Sequence, residues 1–404
     1  MKNSFSTTSW LLGLLLAAGP ALGQNYEQIA KQIVTTSAGV KPGELVMISG
    51  GQHTLPLMEA VAVEVARAGG QPRMVVSTDK VGRAINLETP EAAIQASKSD
   101  NWTLQSDVLI SLPAYEDAPA MVAGLSPERR AKFSQVATAS GYEKQLDGSK
   151  LRSVSVSYPS KSIAARYQLD YPAYEQMMWS GIGADYSAIA AQASQMKQLL
   201  ATGKKMHITS PAGTDLTLEL GGRPVFADDG ELSAADQQEK LIYNRTASLP
   251  GGRIFGTCQE TTATGHLACP NMIGSADGLP LNGFKADLQN GALVNLRADT
   301  GVEALQKVMA PYGPAALQVD RFSIGLNPAT KTQKDLHPIT AAGMVLVGTG
   351  NNALYGGQNQ TPGGANFPIT NATVDIDGQV IVRNGQLVTG AVASSGAAPK
   401  KRRK

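Results

Sequence analysis

Residues Glu44–Ser77 read ELVMISGGQHTLPLMEAVAVEVARAGGQPRMVVS, and the fold class is decided there. The run Glu44–Ser49 is short, apolar and β-prone and ends at Gly50-Gly51, as a buried strand does. Thr54 stands where a helix cap belongs, Pro56 falls in the first turn, and Gly69-Gly70 stops the helical spacing of Leu55–Ala68. Pro72–Ser77 returns as a second strand. Strand, helix and strand at this spacing make a parallel β-α-β unit with a right-handed crossover. The Gly50-Gly51 turn lacks the G-x-G-x-x-G spacing of a dinucleotide site, so close packing of strand on helix is its expected role.

Working outward, Tyr26–Ser37 has helical spacing, while Asp107–Leu112 and Arg152–Ser157 read as further buried strands. Ser126-Pro127-Glu128 is a helix start with Ser126 as cap. Ala164–Ala201 is mostly helical, its tyrosines and methionines spaced as core, and Tyr186–Ala201 links to a second half of different texture. There Lys205–Thr209, Asp215–Leu220 and Arg253–Thr257 are strand-like, with one helix expected at Gly301–Met309. The expected plan is a leader over 1–23, an N-terminal α/β domain with a parallel sheet over 24–202, a mainly β (α+β) domain over 203–388, and a disordered basic tail over 389–404.

The chain has 404 residues, with 42% hydrophobic and 17% charged, which is the composition of a globular protein with room for two cores. Its formal charge of +2 is set by Lys400, Lys401, Arg402, Arg403 and Lys404; the body is mildly acidic. With 5% aromatic residues and no basic groove, nucleic acid is not an expected partner. The start MKNSFSTTSWLLGLLLAAGPALGQ has the layout of a secretory signal: Lys2, an apolar Trp10–Ala18, and small residues at Ala21-Leu22-Gly23. An exported, periplasmic or extracellular protein with no transmembrane segment in the mature chain is expected. In such a compartment Cys258 and Cys269, eleven residues apart across an expected hairpin, are candidates for a disulfide.

Asp320–Thr370 has the texture of a site wall, with short apolar runs punctuated by glycine and asparagine, yet little chemistry. After Lys334 its ionisable side chains are Asp335, His337 and Tyr355.

Several phrases together carry a resemblance: YPS at Tyr158, AARYQLDYPAYEQMMWSGIGADYSAI, HITSPAGTDLTLELGGR with a following DDG, LPGGRIFG at Leu249–Gly256, FSIGLNP at Phe322–Pro328, and GMVLVGTGNNALYGG. In this order they resemble the thermophilic aminopeptidase family, aminopeptidases T and S, over nearly the whole mature chain. The resemblance implies an α/β domain followed by a mostly β domain, a homodimer, and a site at the domain junction. It also implies two metal ions held by glutamates and histidines; some relatives instead cleave dihydroxypyridine rings with one iron.

The expected ligand positions are substituted. Arg253 stands where a carboxylate is expected in LPGGRIF, and Arg321 is the nearest match to a second, with Asp320 beside it. Leu346 replaces a histidine, and the final His-x-Asp pair falls on Asn366 and Pro368. Guanidinium, leucine and proline side chains offer a metal nothing. No cofactor is therefore expected, and Arg253, Arg321 and Asn366 are candidates to hold a small anionic or peptide-like ligand, since arginine pairs bidentately with carboxylates. The alternative is a rebuilt site for zinc, cobalt or iron from Glu260, His266 and His337. His53 is a weak candidate, His207 in its strand-like run is expected to be structural, and no G-x-S-x-G elbow for serine hydrolysis is present.

Overall fold

The computed structural model describes residues 25–388 apart from 97–100, 127, 130, 131, 134, 135, 137–139, 141, 274–279 and 362. The leader over 1–23 and the tail over 389–404 therefore lie outside the described residues, as does Pro127. The first half supplies β1 (Leu45–Gly51), β2 (Gln71–Ser77), β3 (Val108–Ser111) and β4 (Arg152–Val156). After the helix Tyr186–Thr202 come β5 (Lys205–Thr209), β6 (Asp215–Glu219), β7 (Val225–Asp228), β8 (Thr246–Leu249), β9 (Arg253–Thr257) and β10 (Thr264–Ala268). The short β11 (Met272–Ile273) and β12 (Pro280–Leu281) pair with each other, and β13 (Lys285–Gln289) and β14 (Ala292–Arg297) follow. The helix Val302–Met309 precedes β15 (Val319–Gly325), β16 (Val345–Thr349), β17 (Asn366–Ile369), β18 (Thr373–Ile376), β19 (Gln379–Arg383) and β20 (Gln386–Leu387).

The opening unit is built as its residues dictate: β1 and β2 run parallel, and the helix Leu55–Arg67 crosses between them with Leu57, Met58, Val61 and Val65 buried. Gly50 makes the close approach its turn implied, since a Cβ there would lie 2.5 Å from Thr54 Oγ1 and 2.8 Å from Met58 Sδ. Thr54 does not cap the helix. The tight turn Gln52–Thr54 holds its backbone helical, so its hydroxyl donates to the Gly51 carbonyl at 2.8 Å instead. The parallel sheet has the order β2-β1-β3-β4-β8. Its last strand comes from beyond residue 203, so the expected boundary there is crossed: β8 pairs in parallel with β4 and completes the N-terminal sheet.

The remaining strands form two antiparallel sheets, β14-β13-β10-β6-β5-β18-β19-β20 and β17-β16-β15-β9-β7. One apolar core runs through all three sheets, and the buried rings of Phe284 and Phe367 stack at 4.8 Å between the two antiparallel ones. The helix Tyr186–Thr202 buries Tyr186, Ile189, Ala193, Met196 and Leu200 at alternating spacings of three and four residues and packs on β7. Asp185 caps it by accepting from the Ser187 and Ala188 N–H groups.

The expected disulfide is not formed; Cys258 and Cys269 are free and buried. The expected hairpin between them does not exist, because β9 and β10 go to different sheets. The Cys258 thiol points to the Val319 carbonyl and the Cys269 thiol to Met272 Sδ. His207 on β5 is a cross-strand brace, with Nε2 2.8 Å from Asp215 on β6 and Nδ1 3.2 Å from Asp375 on β18. No helix among the described residues is long and apolar enough to cross a membrane.

Two outcomes follow from these contacts. Burial pushes both thiols up to about 12, so the native chain should react sluggishly with a thiol reagent at pH 8, and the unreduced, denatured chain should show both thiols; an absence of thiols would restore the disulfide. Asp215, then Asp375, raise the His207 pKa above 6.5 against the opposing effect of burial. A raised folded pKa stabilises below the unfolded value and loses that contribution as pH rises through the folded one. The urea midpoint gap between the native chain and His207→Gln should therefore be wider at pH 5.5 than at pH 8.5; a gap independent of pH would contradict the brace.

Candidate functional site at the domain junction

Parallel sheets gather ligands outside the carboxyl ends of their strands. In this chain that edge faces β7 and β9 across a cavity of about 550 Å³, a size that suits a small molecule. Pro113 follows β3, Ser155, Ser157 and Tyr158 end or follow β4, and Ser248 lies on β8. Arg166 and Tyr167 close the helix Lys161–Arg166, and Tyr174 and Met178 come from the helix Tyr171–Ile182. Asp228, Arg253 and the loop around Leu336–Thr340 complete the lining from the C-terminal domain.

Asp228 and Arg253 sit at the seam. Asp228 accepts from the Ser248 N–H at 2.9 Å and from Arg253 Nε at 3.3 Å, so one carboxylate ties β7 to β8 and β9. Arg253 Nη2 donates to the Tyr243 hydroxyl at 3.1 Å, and its guanidinium lies 4.7 Å from the centre of the Phe255 ring. Its Nη1 makes no hydrogen bond among the described residues. Arg166 supplies the second positive charge and is held by Asp117 at 3.0 Å. Burial pushes the Tyr174 hydroxyl up to about 12, and burial with the Tyr26 hydroxyl raises Tyr158 well above its ordinary value. Both phenols stay neutral at ordinary pH. Such a cavity can bind an anion with an apolar body: two cationic forks, phenolic donors, and aromatic and aliphatic walls.

Gly252 fixes the turn into β9. Its φ of +104° is one that side chains avoid, and a Cβ there would lie 2.9 Å from that of Asn327. Asn327 in turn donates to the Gly181 and Gly251 carbonyls, at 3.0 and 2.9 Å.

Cross-strand register shows what occupies the face where the resemblance implies metal ligands. Asn366, Gly348, Arg321 and Thr257 stand in one row across β17, β16, β15 and β9. The next same-facing row is Pro368, Leu346, Ser323, Phe255 and Phe226, and Arg253 opposes Gly325 and Asp228 beyond it. Arg321 donates to Asp320 at 2.6 Å and to Asn366 Oδ1 at 2.9 Å, lying over Gly348, where a Cβ would be 2.6 Å from its Nε. Burial drives the Asp320 carboxyl up to about 7, with Arg321 pulling the other way. These residues do not fit a metal pair. Arginine carries the wrong charge, leucine and proline carry no donor, and the Asn366 oxygen is already taken by Arg321.

The expected ligand trio of Arg253, Arg321 and Asn366 is also divided. Arg321 opposes Thr257 whereas Arg253 opposes Gly325, and four residues of strand separate them by about 13 Å along the backbone. Only Arg253 lines the junction cavity. The rebuilt metal trio is not assembled either. Glu260 accepts from Arg223, Asn352 and the Gln358 N–H, at 2.8, 3.0 and 2.7 Å. His266 pairs with Asp287, and His337 Nε2 lies 2.9 Å from the Asn271 carbonyl oxygen. Among the described residues no group of three or more His, Cys, Asp or Glu side chains could hold a metal ion. Asp228, Arg166 and Tyr243 were missed in the sequence; the DDG phrase held the signal for Asp228, while the other two carry none in their local context.

Similarity to known proteins agrees with this architecture. Residues 23–317, more than half of the chain, match the family model described as thermophilic metalloprotease (M29). Residues 320–389 match the model described as 2,5-dihydroxypyridine 5,6-dioxygenase. A 2,5-dihydroxypyridine 5,6-dioxygenase of Pseudomonas putida is 24% identical over 206 residues, which is 47% of this chain and only 56% of that protein. Among solved structures, wild-type AmpT from Thermus thermophilus superposes with a TM-score of 0.71 at 16% identity, over 90% of this chain and 99% of AmpT. The 2,5-dihydroxypyridine dioxygenase from Pseudomonas putida gives 0.60 at 17%, over 91% and 98%. At such identities the structural likeness speaks for the fold. The family rests on the matched model: the chain belongs to the thermophilic metalloprotease (M29) family.

Proposed function

We propose that this aminopeptidase T-like chain binds a small anionic or peptide-like ligand in the domain-junction cavity and does not carry out two-metal peptide hydrolysis. The observation that carries this reading is Arg253, at a position where a metal-binding carboxylate is expected, facing the cavity with one fork nitrogen unengaged. Two-metal hydrolysis depends on carboxylates that offset the ionic charge and on a metal-bound water of lowered pKa. Neither guanidinium can ligate a cation, and the same fork suits a carboxylate. Export fits the amino-terminal layout of Lys2, Trp10–Ala18 and Ala21-Leu22-Gly23. A second reading, an active metal-dependent aminopeptidase or ring-cleaving dioxygenase, is favoured by the match of residues 320–389 to a dioxygenase model.

The test is calorimetric titration with free amino acids, dipeptides and small carboxylates. At least one class should bind, and Arg253→Gln should weaken it by about tenfold or more, the usual weight of a charge-assisted hydrogen bond. Arg166→Gln should weaken it as well. Arg321→Gln should leave affinity unchanged and lower the melting temperature, because its partners are Asp320 and Asn366. Binding indifferent to Arg253→Gln in a variant that still melts cooperatively would reject the site.

A further inference from the structure

The loop between β15 and β16 walls the junction cavity with its Pro338–Thr340 stretch, and a second cavity of about 440 Å³ lies against the same loop. Thr330 lines both spaces, whereas Lys331, Thr332, Lys334 and His337 line the second. Two turns of the antiparallel sheets complete it: Thr370 and Asn371 join β17 to β18, and Gly385 joins β19 to β20. Gly343 lets the loop press on the second turn. Its φ is +82°, and a Cβ there would lie 2.0 Å from the Gly385 carbonyl oxygen. A tight hairpin turn, in which Gln333 and Leu336 exchange backbone hydrogen bonds at 3.0 and 2.9 Å, carries Lys334 at its tip. The Lys334 ammonium donates to the Gln168 carbonyl, which leaves two of its three N–H groups unused. Lys331 makes no hydrogen bond or ion pair among the described residues. His337 is anchored through Nε2, which donates to the Asn271 carbonyl at 2.9 Å. No carboxylate among the described residues lines this space, so its two ammonium groups stand without a counter-charge.

We propose that this cavity binds a small phosphate, as inorganic phosphate or a phosphomonoester, between Lys331 and Lys334 of the loop and Thr370 and Asn371 of the facing turn. An uncompensated pair of ammonium groups favours an anion, and the kind of donor decides which anion. A planar carboxylate is matched by a rigid guanidinium fork, such as the one Arg253 presents to the junction cavity. No arginine among the described residues lines the second cavity. Lysine ammonium groups act as point charges on flexible stems and turn their N–H groups to whichever oxygens are offered. The Thr332 and Thr370 hydroxyls and the Asn371 amide, none of them hydrogen-bonded among the described residues, add neutral donors around the two charges. Such a set suits a tetrahedral oxyanion better than a planar one. The bound phosphate bridges the loop to the turn between β17 and β18. Its site does not depend on what the junction cavity holds.

Calorimetric titration of the full chain with sodium phosphate and with glycerol phosphate tests this, at an ionic strength held constant with chloride so that screening does not vary. At least one of the two should bind saturably, and acetate should bind more weakly. Each variant is compared only if it melts cooperatively. Lys331→Gln should weaken phosphate about tenfold or more, the usual weight of a charge-assisted hydrogen bond, and Thr370→Val should weaken it less. Arg253→Gln should leave phosphate affinity unchanged. An absence of saturable binding, or an affinity indifferent to Lys331→Gln, would overturn the proposal. So would a loss confined to Arg253→Gln, which would place the anion in the junction cavity. Binding to phosphatidylcholine vesicles that carry phosphatidic acid, with none to either free phosphate, would also overturn it and assign the lysines to a lipid surface.

Discussion

The structure turns on the ion pair between Asp228 and Arg253. Asp228 is nearly inaccessible to solvent, and its two oxygens join three strands from two sheets: the β8 backbone through Ser248 and the β9 side chain through Arg253, from its own place on β7. A buried pair of this kind is a poor source of net stability, yet losing either partner strands the other and typically costs about 3–5 kcal/mol. The junction is therefore held together by the same residues that present a cation to the cavity. Arg253 cannot be viewed as a surface ornament, and it is not free to swing away while Asp228 and Tyr243 hold two of its nitrogens.

The face on which the resemblance implies metal ligands is a paired and packed surface. Arg321 is hydrogen-bonded to Asp320 and Asn366, Gly348 leaves the room its side chain needs, and Leu346 and Phe255 fill the adjoining row. Close beside it Glu260, Asn352 and Arg223 make a compact polar hub tied to the loop after β16. The M29 scaffold is kept, and this face carries arginine–aspartate pairs beside packed apolar side chains; the fold alone does not fix the reaction.

The opening strand and helix were readable because they are apolar runs closed by glycine, at Gly50-Gly51 and Gly69-Gly70, whereas the more polar helix Asp79–Glu88 was not identified. β5, β9 and the helix ending at Met309 were equally plain. What escaped was everything that depends on long-range pairing. β8 looks like any strand of the second half, yet it finishes the first sheet. Cys258 and Cys269 are close in sequence but follow strands of different sheets. Arg253 was identified from its place in LPGGRIF, but its partners Asp228 and Tyr243, twenty-five and ten residues upstream, could be found only by folding. The separation of Arg321 from the cavity is likewise a matter of register, which a one-dimensional pattern does not contain.

The proposed function requires that cationic and apolar side chains stand where the family's metal ligands are expected. Elemental analysis by plasma mass spectrometry of the purified chain, after incubation with zinc, cobalt or ferrous iron and desalting, tests this. Metal should stay well below one equivalent per chain under all three conditions. A stoichiometric complement of any of them, accompanied by hydrolysis of aminoacyl substrates or cleavage of a dihydroxypyridine ring, would contradict it.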